Sequence, residues 1–159
     1  MLLLVLGGRI DLFCVSFCFR THFFIISDPS PIQLPQSIII TSISIDHMTP
    51  SLGQPNSYTS APKLFSLVGF DNTTPYTTNK SNMKMEGKRF SSPLSNQDGL
   101  FVFDPLNIKQ DKFVGTTEHY PVTNGGNFPV NKVEFQLFEN WGNEEFTCVY
   151  RIRIHGKAV

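Results

Sequence analysis

The stretch Thr147-Cys148-Val149-Tyr150-Arg151-Ile152-Arg153-Ile154-His155 decides the fold of this chain. Cys148, Tyr150, Ile152 and Ile154 occupy one parity, and Thr147, Arg151, Arg153 and His155 the other. A period of two places alternate side chains on opposite faces, so the stretch reads as a strand with one face on a core and one in water. Just upstream, Asn140-Trp141-Gly142-Asn143 is a turn, and before it Lys132 to Glu139 repeats the alternation. There Val133, Phe135 and Leu137 oppose Lys132, Glu134 and Gln136. Farther out, Ser37 to Asp46 is β-branched, with Ile39, Thr41, Ile43 and Ile45 expected on one side and Ser42, Ser44 and Asp46 on the other. Phe23 to Ser27, Lys63 to Phe70, Leu100 to Phe103 and Lys112 to Val114 read as further strands. Between them lie Asp28-Pro29-Ser30-Pro31, a loop closed by Pro35, and the turn-rich run from Thr49 to Asn56. Asp71 to Ser92 is polar and poor in aliphatics, which predicts a mobile surface loop; it holds two glycosylation sequons, Asn72-Thr73-Thr74 and Asn79-Lys80-Ser81. No amphipathic helix of ordinary length is legible.

Composition agrees. The 159 residues suit one domain, and 13 basic against 13 acidic side chains leave no net charge. That balance excludes the charged field a nucleic-acid-binding surface needs. Charged residues reach only 16%, Phe contributes 15 residues, and Gly and Pro 11 each, which argues against helical bundles, coiled coils and disorder. An all-β sandwich is expected. The segment from residue 1 to residue 20 is apolar but interrupted by Arg9 and Asp11, so it is no clean membrane span. It is expected to lie outside the fold, with residues 21–159 forming the domain.

No catalytic constellation emerges. The histidines, His22, His47, His119 and His155, sit in no metalloprotease motif, no nucleophile elbow surrounds a serine, and Gly125-Gly126 is a turn rather than a phosphate cradle. Asp104 and Glu118 could pair, but their flanks do not suggest a buried acid. Cys14, Cys18 and Cys148 lack zinc-knuckle spacing, so neither metal nor cofactor is expected. On the residues alone Cys148 is a free buried thiol, and non-reducing mass spectrometry is expected to find no crosslink. The bottom-up reading is a binding module rather than an enzyme.

The run from Asn140 to Gly156 resembles the terminal signature of SUN domains, in which Asn-Trp-Gly and an acidic linker precede Tyr-Thr-Cys-x-Tyr-Arg-x-Arg-x-His-Gly. Ile45-Asp46-His47, with Ser60-Ala61-Pro62-Lys63-Leu64-Phe65 through Gly69-Phe70, is similar to an upstream block of that family, and Gly99-Leu100-Phe101-Val102-Phe103-Asp104 to a third. The resemblance spans Phe23 to Gly156, about the last two-thirds of a SUN domain. It implies a galactose-binding or jelly-roll-like β-sandwich, N-terminally truncated, since the family's cation loop and lid are not recognisable.

By the same resemblance, the domain faces the perinuclear space at the inner nuclear membrane, trimerises, and binds the C-terminal tail of a KASH protein, linking nucleus to cytoskeleton. Membrane association would run through upstream regions. The tail's carboxylate would meet His47, Ser60 and Tyr150, with Phe146 where the family carries a second tyrosine. Hydroxyls and an imidazole suit a carboxylate leaving water, because charge-assisted hydrogen bonds are roughly twice as strong as neutral ones. The resemblance also implies a disulfide for Cys148, with Cys18, and after it Cys14, as partner. Read without it, His47 caps a turn, Ser60 forms one, and Tyr150 is a core aromatic. Two alternatives stand beside the adaptor: a lectin-like lumenal or secreted ligand binder, and a non-functional SUN fragment.

Overall fold

A computed structural model describes residues 2–6, 9–14, 17–20, 32–47, 57–71, 87–93, 95, 99–105 and 116–159, the first three stretches by their backbone alone. The strands expected at Phe23 to Ser27 and Lys112 to Val114, and both sequons' central residues, lie outside the described residues. The described chain is antiparallel β throughout apart from one 3-10 turn, Ser57–Ser60. Its strands are β1 (Leu2–Leu6), β2 (Arg9–Cys14), β3 (Phe17–Arg20), β4 (Ile32–His47), β5 (Pro62–Phe70), β6 (Lys88–Arg89), β7 (Phe101–Val102), β8 (Thr116–Pro121), β9 (Val130–Asn140), β10 (Phe146–Val149) and β11 (Arg151–Ala158).

Nine strands form one sheet in the order β1-β2-β11-β4-β9-β5-β6, with β7 on β5 and β8 on β4; β10 and β3 form a second sheet. The sixteen-residue β4 organises the larger sheet. β11 pairs with it from Ile38 to Asp46, while β9 takes Ile32, Gln33 and Ile38 and β8 takes Ser42 to His47. Two strands therefore share the edge opposite β11 and diverge from it, which lets the sheet fold over its own apolar face into a sandwich. The core sits in the fold: Ile43, Ile45, Phe65, Leu67, Phe90, Phe101, Phe103, Tyr120, Val130 and Val133 are fully buried. Phe65 is its hub, with ring centroids 5.1 Å from Phe101, 5.4 Å from Tyr120 and 5.0 Å from Phe135. Each such aromatic contributes about 1.5–3 kcal/mol by burial.

Several expectations need correction. β4 starts at Ile32, and Pro35 lies inside the strand, within the interruption of the β9 ladder between Gln33 and Ile38, where a missing N–H costs nothing. Its isoleucines do not keep one parity. Ser42 faces His155 and Ile40 faces Gly156, so Thr41 is an extra residue, a β-bulge. Ile38 and Ile40 are core on one side of it, Ile43 and Ile45 on the other, and Thr41 itself is exposed. Its hydroxyl donates to the His155 carbonyl at 3.2 Å. Gly156 is required here, because a Cβ would stand 2.8 Å from the Ile39 carbonyl oxygen.

The loop expected across Asp71 to Ser92 ends in structure: Lys88–Arg89 is β6 and Phe90 is fully buried. On β9 the polar parity is not wet, since Glu134 and Gln136 are buried with Ser66, whose hydroxyl donates to Gln136 Oε1 at 2.9 Å. The first twenty residues, expected outside the fold, supply β1 to β3; β2 pairs with β11 along Ile152 to Lys157, and β3 with β10.

Candidate functional site

Tyr150 is the joint between the two sheets. It lies outside strand geometry, with β10 ending at Val149 in the small sheet and β11 starting at Arg151 in the large one. Val149, Ile152 and Ile154 all join the core, so the alternation read from Cys148 to Ile154 reverses at Tyr150. Strand parity therefore does not put Phe146 and Tyr150 on one wall. Phe146 opens β10 at 37% exposure and Tyr150 stands at 36%.

His47 ends β4, one residue past the pairing of Asp46 with Arg151, which sets it beside Tyr150. The two rings meet edge to face with centroids 4.9 Å apart, and Phe103 lies behind His47 at 6.3 Å. His47 is only 2% exposed while Tyr150 reaches solvent, so the pair forms a polar rim on the end of the core. Ser60, 7% exposed, closes the 3-10 turn. That turn packs against β10.

The Asn140-Trp141-Gly142-Asn143 turn holds these pieces together. Asn140 Nδ2 donates to the Asn143 carbonyl at 2.8 Å and to Thr147 Oγ1 at 2.9 Å, while its Oδ1 accepts the Gly142 N–H at 2.9 Å. Asn143 Oδ1 accepts the N–H groups of Glu145 and Phe146, each at 2.9 Å, which launches β10. The Asn143 N–H donates to the Thr59 carbonyl at 3.2 Å, tying in the turn that carries Ser60. Trp141 Nε1 donates to the Phe103 carbonyl at 2.8 Å, fixing the strand end behind His47. Gly142 has φ +106°, a conformation side chains avoid. Sequence reading saw only a turn here; two asparagines bracketing Trp-Gly were the signal for side-chain-to-backbone bonding.

The flanks carry more structure than their sequence suggested. Asp46 is buried between Arg153 and Arg151, bonded to the former and 3.4 Å from Nε of the latter. Glu118, half-buried, accepts the Tyr120 hydroxyl, whose oxygen also lies 2.9 Å from the Val102 carbonyl oxygen. Burial raises the Glu118 pKa, against hydrogen bonds from Tyr120 and from the Asp104 backbone, with a smaller upward push from the Asp104 charge. Burial first, then Glu118, pushes the Tyr120 phenol far above its ordinary value. The expected free thiol is corrected: Cys148 is disulfide-bonded. The residue facing it across the β10–β3 ladder is Cys18, whereas Cys14 faces Ile152. Among the described residues, no group of three or more His, Cys, Asp or Glu gathers to hold a metal ion.

The chain can be set beside known proteins on this geometry. A family model described as Sad1 / UNC-like C-terminal matches residues 106–158, the stretch that contains β8, β9, the Asn-Trp-Gly turn, β10 and β11. Mouse SUN domain-containing protein 2 is 27% identical over 126 residues, covering 79% of this chain and 14% of that protein. Human SUN domain-containing protein 5 is 29% identical over 127 residues, 80% of this chain and 27% of the relative. Human sperm-associated antigen 4 protein is 30% identical over 125 residues, 79% and 23% respectively. The chain thus spans less than a third of the length of these relatives. With the family match across β8 to β11 and these relatives over about four-fifths of the chain, the comparisons support a partial SUN domain here.

Proposed function

We propose that this domain captures the free C-terminal carboxylate of a KASH protein's tail at the rim formed by His47, Ser60 and Tyr150, beside Phe146. The observation that carries the reading is the His47–Tyr150 ring pair, 4.9 Å apart at the seam between the sheets, with the Ser60 turn bound to the same hub. An imidazole and two hydroxyls are donors that a carboxylate leaving water requires, and C-terminal capture beside a sheet is a recurrent peptide-recognition mode. The role is that of a non-catalytic adaptor at the nuclear envelope, with the domain in the perinuclear space and a homotrimer as its assembly. The disulfide at Cys148 suits such an oxidising lumen. Neither cofactor nor nucleic acid takes part.

The experiment is a binding titration with a KASH-tail peptide carrying a free terminal carboxylate, run against its amidated twin. Tighter binding of the free acid, by tenfold or more, supports carboxylate capture. Equal binding of both peptides excludes it and leaves a ligand-binding sandwich of another kind.

A further inference from the structure

We propose that Asn124-Gly125, in the loop between β8 and β9, is a deamidation site that the fold holds closed, and that its conversion unhooks strand β6. Asn-Gly occurs once in the chain. Asparagine is thermolabile, and a following glycine leaves its own N–H unshielded by any side chain. The reaction needs only water. The Gly125 nitrogen, losing its proton to hydroxide, bonds to Asn124 Cγ, the bond from Cγ to Nδ2 breaks, and ammonia departs. Water then opens the resulting succinimide at either carbonyl, giving aspartate or isoaspartate with one new negative charge.

The fold demands both members of the pair. Asn124 Oδ1 accepts the Ser91 N–H at 2.8 Å, and its Nδ2 donates to the Arg89 carbonyl at 2.9 Å. The Thr123 N–H donates to the Ser91 carbonyl at 2.9 Å, so the loop lies along residues 89–91 as a further strand would. The asparagine side chain completes that ladder. Gly125 is fixed from another side, because a Cβ there would stand 2.6 Å from the Ile40 carbonyl oxygen, beside the Thr41 bulge. The Val122 N–H donates to the Thr41 carbonyl at 2.9 Å, and Lys88 Nζ to the Gly125 carbonyl at 3.2 Å. An amide at one position and a bare Cα at the next are what this docking requires, and together they are the reactive pair.

The clamp is also the brake. Ring closure brings Asn124 Cγ onto the Gly125 nitrogen, and an amide bonded at both ends to Arg89 and Ser91 is not free to turn. Asn124 itself is exposed, so the brake is the two hydrogen bonds and not burial, and it lifts when both open together. Neither product restores the clamp. A carboxylate has no donor for the Arg89 carbonyl and sets charge against it. Isoaspartate lengthens the main chain by one carbon and shortens the side chain by one. β6 bears the loss because it ends the sheet and pairs with β5 only at Val68 and Gly69. Phe90, the next residue, is fully buried and donates its N–H to the Leu67 carbonyl, so the loosening reaches the core. The inference does not rest on carboxylate capture.

The full chain, incubated at mildly alkaline pH both folded and in guanidinium chloride and then mapped by peptide mass spectrometry, tests the site. Conversion at Asn124 is expected in both states, at least about tenfold slower in the folded one. No conversion in the unfolded chain, or an equal rate in the two states, overturns the proposal. The product carries one more negative charge than a parent of zero net charge, so ion exchange separates the two. Hydrogen exchange on that product is expected to show about tenfold weaker protection at the Phe90 and Ser91 amides, with a lower urea midpoint. Protection there equal to the parent's overturns the unhooking.

Discussion

Phe146 sets the chemistry of the proposed rim by what it lacks. A phenyl ring at 37% exposure offers no donor where the family resemblance puts a tyrosine hydroxyl. Phe146→Tyr is expected to tighten binding of a free-carboxylate peptide by about 1–3 kcal/mol, the worth of a charge-assisted donor, and to leave the amidated peptide unchanged. Isothermal calorimetry on the peptide pair reads both. Gly142 is a residue of the opposite kind, constrained by backbone alone: φ is +106° and no atom lies within 4 Å of a would-be Cβ. Gly142→Ala is expected to cost about 1–3 kcal/mol in a urea midpoint measurement, all of it strain, since there is nothing to clash with. Residue roles were only partly legible. His47 and Tyr150 read as a turn cap and a core aromatic until the family resemblance joined them, because their contact spans about a hundred residues of chain and leaves no local pattern.

Element boundaries followed the alternation where a strand kept one pair of partners and failed where it changed them. β9 and the body of β5 read correctly. β4 did not, because the bulge at Thr41 is set by its pairing with His155 and Gly156, more than a hundred residues away, and a one-residue slip reverses every side chain beyond it. The same reason hid the parity change at Tyr150. β8 escaped notice since Thr116–Pro121 places one core aromatic, Tyr120, among polar residues. β1 to β3 were set aside as foreign because an apolar run without polar alternation carries no local mark of a strand pairing made more than a hundred residues away. Their pairing yields an element-scale prediction. Deleting residues 1–20 removes β2 and strips β11 of its ladder from Ile152 to Lys157. The shortened chain is expected to aggregate through that bare edge, and its light-scattering mass should rise with concentration while the parent's does not.

At the scale of the whole molecule, stability rests on the apolar core and on the disulfide at Cys148. Reducing agent is expected to lower the unfolding free energy by about 2–4 kcal/mol. Non-reducing peptide mapping is expected to recover Cys148 joined to Cys18, its ladder partner, and recovery of a Cys14 crosslink would contradict the β10–β3 register. Glu134 pulls the other way. Burial raises its pKa, partly offset by the hydrogen bond from Gln136, so the stability it permits is present below its unfolded pKa and lost as pH rises through the folded value. Glu134→Gln is therefore expected to be more stable than the parent at pH 7.5, with the gap closing toward pH 4.5 in parallel denaturant melts.

The placement of Tyr150 has a mechanical corollary. Tension applied there along the axis of β11 does not peel hydrogen bonds apart one after another. It shears the strand lengthwise between β2 and β4, so that both ladders resist at once. A molecule gripped at that point is loaded in its stiffest direction.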